Sequence, residues 1–125
     1  MPTDLVQETK NMKLLIVDDN AETRRLIRAV VGVCSDDIIE GHNGTEAVDF
    51  YREHRPDWVL MDIEMRGMDG IAATRTIRQH YPEARIIIVT MHSDPRFRTA
   101  AREAGATGYI LKDDLAALPS MLLEK

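Results

Sequence analysis

Five polar residues stand where short apolar runs end. Asp18 and Asp19 close KLLIVDD, Asp62 closes DWVLMD, Thr90 closes RIIIVT and Lys112 closes GYILK. Singly, each has an ordinary explanation. An aspartate after a strand commonly caps a helix or forms a turn, a threonine at a strand end is usually structural, and a lone lysine is usually solvated. Recurrence of the pattern at four run ends is the informative feature. Three carboxylates gathered in one place repel: two unit charges about 4 Å apart interact by ~4 kcal/mol at an effective dielectric of roughly 20. Such a group takes up protons or a cation. Its donors are all oxygen, with neither Cys nor His, which selects a hard cation, and Mg2+ fits best because it keeps waters and accepts a phosphate oxygen. An ammonium from Lys112 and a hydroxyl from Thr90 complete a pocket suited to a phosphoryl group, with an aspartate as its acceptor.

The elements that must deliver these residues alternate along the chain. Strands are predicted over 13–18, 37–41, 57–62, 85–90 and 108–112. Helices are predicted between them. The first has Leu26, Ile27, Val30 and Val31 at helical spacing before Gly32. The second has Ala47, Val48 and Tyr51 on one face, and the third Ile71, Thr74 and Ile77. The fourth begins at Ser93–Asp94 with Pro95 in its first turn and ends at Gly105. A short last helix over 113–125 contains Pro119, which is tolerated if it lies in the first turn. Strands rich in Val, Ile and Leu, alternating with helices, imply a parallel sheet covered on both faces. In such a sheet, ligands bind beyond the carboxyl ends of the strands, where all five polar residues are placed.

The chain has 125 residues, 44% of them hydrophobic and 30% charged, with a formal net charge of −5. This suits one packed domain and argues against direct nucleic-acid binding, which draws on clustered Lys and Arg. No apolar run approaches the ~20 residues needed to span a bilayer, so no membrane association is expected. The single Cys34 rules out an internal disulfide, and a cytoplasmic location follows as the expectation. Residues 1–11 are expected to form a flexible polar arm, with one domain over 12–125.

The motifs LLIVDDN, VLMDIEMRGMDG, IIIVT and GYILK together resemble the receiver domain of two-component response regulators, from Lys13 to the C-terminus. The resemblance implies a flavodoxin-like (βα)5 three-layer α/β sandwich with a parallel five-stranded sheet in the order 2-1-3-4-5. It makes Asp62 the phosphoacceptor. Asp18, Asp19, Asp62 and the backbone carbonyl of Glu64 would hold Mg2+, Thr90 would be the switch hydroxyl, Tyr109 the switch aromatic and Lys112 the phosphoryl contact. The implied donor is a sensor histidine kinase or phosphotransfer protein. The implied output runs through the face formed by the fourth helix, fifth strand and fifth helix to a partner protein, with a homodimer on phosphorylation as a further expectation. The domain would be a stoichiometric phosphoacceptor, not an enzyme, that catalyses its own phosphorylation and dephosphorylation.

Several positions depart from the family pattern. Arg66 stands where most receivers have Pro, which predicts a more mobile loop beside Gly67. Glu64 and His92, each two residues beyond a site residue, are placed to orient or exclude an attacking water. Met91 occupies a position where many relatives carry a smaller residue, and it narrows access to the site. His42, His54 and His80 have no metal-ligand spacing and are expected in exposed loops or helix ends. Asp113 replaces the Pro that many receivers carry after the lysine, as in receivers attached to helix-turn-helix DNA-binding domains. The chain ends about a dozen residues later, which leads to the expectation of a stand-alone receiver. Three alternatives stay open: a receiver cut from a longer DNA-binding regulator, a receiver-like scaffold that is never phosphorylated, and a Mg2+-dependent phosphohydrolase working through an aspartyl phosphate. The last would be expected to carry a D-x-D motif and a cap domain, whereas the sequence reads VDDNAE.

Overall fold

A computed structural model describes residues 12–123. The expected arm at 1–11 lies outside the described residues. Five parallel strands, β1 (Lys13–Val17), β2 (Asp37–Gly41), β3 (Trp58–Met61), β4 (Ile86–Thr90) and β5 (Gly108–Leu111), form one sheet in the order β2-β1-β3-β4-β5. The helices are α1 (Ala21–Val31), α2 (Gly44–His54), α3 (Gly70–His80), α4 (Pro95–Ala104) and α5 (Leu118–Leu123). A 3-10 turn over Lys112–Ala117 leads into α5. The flavodoxin-like three-layer architecture and its strand order are as the sequence implies.

Successive strand residues point to opposite faces, and here both faces are buried. Leu15, Val17, Val59, Met61, Ile86 and Ile88 pack with Ala47, Tyr51, Ala73, Ile77 and Ala101 of α2, α3 and α4. Leu14, Ile16, Leu60, Ile87 and Val89 pack with Ile27, Val31, Leu118 and Leu122 of α1 and α5. This is why the strands lack a polar alternation.

Two expectations change. Leu26 was grouped with the apolar stripe of α1, but it is 60% exposed. Ile27 and Val31, one turn apart, already fill the contact with the sheet, and a neighbour one residue away is rotated off that face. The segment after Lys112 is not one helix. Asp114 has non-helical dihedrals (φ −114°, ψ 28°), the 3-10 turn ends there, and Pro119 sits in the first turn of α5. There its missing N–H has no intrahelical partner to lose.

Helix starts are set by side chains at the carboxyl edge of the sheet. Asn20 accepts from Thr23 N–H at 3.0 Å, Asn43 from Glu46 N–H at 2.9 Å, Asp69 from Ala72 N–H at 2.8 Å and Asp94 from Arg96 N–H at 2.8 Å. Each such cap contributes ~1 kcal/mol. The caps also fix the loops that carry the polar residues, so the same residues that start the helices shape the site.

Candidate functional site

Strand register does most of the assembly. Val17 pairs with Met61, and Asp62 N–H donates to Val17 O at 2.9 Å, so Asp18 and Asp62 emerge side by side. Thr90 pairs with Leu111, which brings Lys112 to the same edge. One cavity of about 290 Å³ is lined by Asp18, Asp19, Asp62, Glu64, Thr90 and Lys112, with Asn20, Thr23, Met91 and His92 completing its wall. Every site residue named from sequence except Tyr109 therefore lines a single pocket. Tyr109 reaches it indirectly: its hydroxyl donates to His92 O at 2.7 Å.

Asp18, Asp62 and Thr90 are buried, whereas Asp19 is exposed. Asp18 Oδ1 accepts from Asn20 N–H at 2.8 Å, and its backbone carbonyl accepts from Arg24 Nη1 at 2.6 Å. Arg24 is held in turn by Glu40 at 2.8 Å. Asp62 Oδ1 accepts from Ile63 N–H at 2.9 Å. The Lys112 ammonium lies 2.9 Å from Asp18 Oδ2 and 3.3 Å from Asp62 Oδ2. Burial, reinforced by the neighbouring Asp18, pushes the Asp62 carboxyl up to about 6, against the pull of Lys112 and the Ile63 N–H. Burial alone would disfavour the charge of Lys112, but Asp18 and Asp62 outweigh it and raise its pKa. One lysine thus offsets only part of the repulsion among three acids.

The remaining negative charge fits a cation. Oxygens of Asp18, Asp19 and Asp62 all lie within 4.8 Å of one another. Asp18 Oδ2 is buried without an aligned hydrogen bond, its contact with Lys112 being ionic. An orphaned carboxylate oxygen in an all-oxygen donor set is what a hard divalent ion requires, so the acidic pocket has the donors to bind a metal.

Two loops border the pocket. The β3–α3 loop (63–69) is fastened by Gly70 N–H to Ile63 O at 2.9 Å and by Gly44 N–H to Met68 O at 3.2 Å. Gly70 is required for close approach, because a Cβ there would lie 1.8 Å from Asp62 O. Gly67 (φ 77°) turns the exposed tip, so the freedom expected around Arg66 is confined to that tip. The β4–α4 loop (91–94) is held differently. Thr90 Oγ1 accepts from His92 N–H at 3.2 Å, the His92 ring stacks on Phe97 at 4.4 Å, and His92 Nε2 contacts Glu64 Oε1 across the gap. Met91 is 73% exposed on the rim. His42, His54 and His80 are exposed, as expected.

Sequence reasoning missed Asn20, Thr23 and Arg24 as parts of the pocket wall and its brace. Their signal was the polar start of the first helix, DDNAETR, directly after the first strand.

Comparison with known proteins agrees with this geometry. The response regulator receiver domain matches residues 14–122. The chemotaxis protein CheY of Bacillus subtilis (strain 168) is 40% identical over 101 residues, covering 80% of this chain and 84% of CheY. The transcriptional regulatory protein DegU of Brevibacillus brevis is 31% identical over 110 residues, covering 86% of this chain. The chain spans about half of DegU's length, 46%. A crystal structure of a LuxR-family two-component response regulator from Aurantimonas sp. SI85-9A1 superposes with a TM-score of 0.82 at 38% identity, covering 88% of this chain and 84% of that one. These matches do not favour the phosphohydrolase alternative. Receiver domains are phosphoacceptors rather than classical enzymes, and the acidic pocket, the fold and the matched span agree that this chain belongs to the response regulator receiver domain family.

Proposed function

We propose that Asp62 accepts a phosphoryl group from the phosphohistidine of a sensor histidine kinase or phosphotransfer protein, and that the chain catalyses this transfer itself. The observation that carries the reading is the packing of Asp18, Asp19 and Asp62 oxygens within 4.8 Å of one another beside Lys112. An Asp62 carboxylate oxygen attacks phosphorus. The new O–P bond forms as the P–N bond breaks, and the imidazole leaves with the electron pair. Ile63 N–H and Lys112 hold the carboxylate in place, and desolvation of Asp62 raises its basicity as a nucleophile. Asp18, Asp19, Asp62 and the Glu64 backbone carbonyl would hold Mg2+, which would supply charge neutralisation at the phosphoryl oxygens. The same residues serve hydrolysis of the adduct, with water as the nucleophile.

Switching follows from hydrogen bonds that exist only once the phosphoryl group is present. Moving a two-state domain from 1:99 to 99:1 requires ~5.5 kcal/mol, and each charge-assisted hydrogen bond supplies ~1.5–3 kcal/mol. Thr90, Lys112 and a loop N–H are enough. Thr90 Oγ1 accepts from His92 N–H, which leaves its hydroxyl hydrogen to donate to the phosphoryl oxygen. As Thr90 moves, the His92 carbonyl moves with its loop, and Tyr109 must find a new position. The α4–β5–α5 surface then changes toward an output partner, with a homodimer as one form of that output and the cytoplasm as the place of action.

The test is intact-mass measurement after incubation with Mg2+ and acetyl phosphate. A single labile phosphate that is absent in Asp62→Asn is expected. Absence of any adduct in the wild-type chain, or an adduct that persists in Asp62→Asn, would sink the assignment.

A further inference from the structure

A second cavity, of about 170 Å³, lies between α4 and β5. It is walled by Arg98, Arg102, Thr107 and Tyr109 over a floor that includes Ala101 and Ala106. The chain carries a net charge of −5, yet this groove is cationic. α4 contributes Arg96, Arg98 and Arg102 against one acid, Glu103. Arg96 is taken up by Asp94 at 2.7 Å. Among the described residues, neither the Arg98 nor the Arg102 guanidinium has a carboxylate or hydrogen-bond partner. Arg98 instead lies over the Tyr109 ring, 4.5 Å from its centroid. Thr107 Oγ1 accepts from Ile86 N–H at 3.1 Å, so its hydroxyl hydrogen is also available to an acceptor.

We infer that this groove is a binding site for an acidic segment of a partner protein, taking a carboxylate between Arg98 and Arg102 and its aliphatic stem over the alanine floor. Two guanidiniums with a free hydroxyl match the planar, two-oxygen geometry of a carboxylate. The small apolar floor favours a side-chain stem over a nucleic-acid backbone, which would need a longer basic track.

The groove is wired to the phosphoryl pocket through contacts already described: Glu64 to His92, the His92 carbonyl to the Tyr109 hydroxyl, and the Tyr109 ring to Arg98. Resting on the proposed phosphorylation of Asp62, the inference has a direction. When Tyr109 leaves its present position, Arg98 loses the ring and becomes free for the ligand. Affinity for an acidic segment therefore rises about two- to fivefold, the equilibrium equivalent of one exposed cation–π contact.

The test uses the full 15N-labelled chain and an acetylated decapeptide of glutamate and alanine, with a lysine–alanine decapeptide and duplex DNA as controls. Saturable shifts of the Arg98 and Arg102 Nε–H signals and of amides 106–109 are expected with the glutamate peptide alone. They should weaken at least tenfold in Arg98→Gln/Arg102→Gln. Adding Mg2+ and acetyl phosphate should tighten binding two- to fivefold in the wild type and leave Arg98→Gln unchanged. Absence of saturable groove shifts, or stronger shifts with DNA or the lysine peptide, overturns the site. Binding that ignores an adduct verified by mass in the same tubes overturns the coupling. Absence of the adduct itself instead refutes the assignment of Asp62, leaving the groove to be judged on the unphosphorylated titration.

Discussion

The two loops that flank the pocket are built on opposite principles. The β3–α3 loop is fastened through its backbone: Gly70 N–H to Ile63 O, Gly44 N–H to Met68 O, and a glycine pressed against the Asp62 carbonyl. The β4–α4 loop is held chiefly by side chains, through Thr90, Tyr109, Phe97 and Glu64 around His92. Backbone bonds and steric contact admit one arrangement, whereas side-chain contacts can be exchanged for others. The first loop therefore fixes the acceptor, and the second is suited to report what happens to it.

The comparison breaks most severely at Gly70. Gly70→Ala places a methyl group 1.8 Å from Asp62 O and should cost at least about 3 kcal/mol in urea unfolding, the upper part of the overpacking range. Gly67→Ala is the control. It meets nothing within 4 Å and should cost only the left-handed backbone penalty of about 1–2 kcal/mol. Equal losses would mean that the fixed loop owes its shape to local dihedrals rather than to contact with the acceptor.

The carboxylate itself gives the next largest effect. Asp62 titrates at about 6 when folded, against an ordinary 3.8. The folded state therefore binds more protons between these values, and stability should rise as pH falls from about 6 toward 4. Above pH 6 the ionised group destabilises the metal-free fold by about 3 kcal/mol, from 1.36 kcal/mol per pKa unit. Asp62→Asn should raise stability at pH 7 by up to that amount in chelator-treated buffer and flatten this part of the pH profile. Mg2+ should narrow the gap between the two proteins. A less stable Asp62→Asn at pH 7 would show that the lysine contact outweighs burial.

The smallest effect sharpens the contrast from the movable side. Tyr109→Phe removes the 2.7 Å bond to His92 O and should cost about 1 kcal/mol. Amide exchange at 91–94 should speed up while 63–69 stay protected. Equal acceleration in both loops would erase the distinction.

Much of this was legible in the chain. The unbroken apolar runs of β3 and β4 carry the two-sided burial of a parallel sheet, and the acids that follow β1 and β3 sit where that fold binds ligands. Register then needed no further information, since Val17 and Met61 pair and bring Asp18 to Asp62. What stayed hidden was set by tertiary contact. Leu26 has the same hydropathy as its buried neighbours, and only the fit of Ile27 and Val31 against the sheet decides which residue is left in water. The 3-10 turn after Lys112 likewise answers to the packing of Leu118 and Leu122, which no local propensity states. The contact between Glu64 and His92 spans 28 positions, and no periodicity reports it.

Asp18 keeps one oxygen tied to the Asn20 amide and the other open. A side chain already immobilised in its coordinating pose gives up almost no rotational freedom when a cation arrives. The thermodynamics of ion uptake should then be governed by water leaving the metal and the carboxylates, making the process entropy-driven and nearly independent of any rearrangement in the first turn of α1.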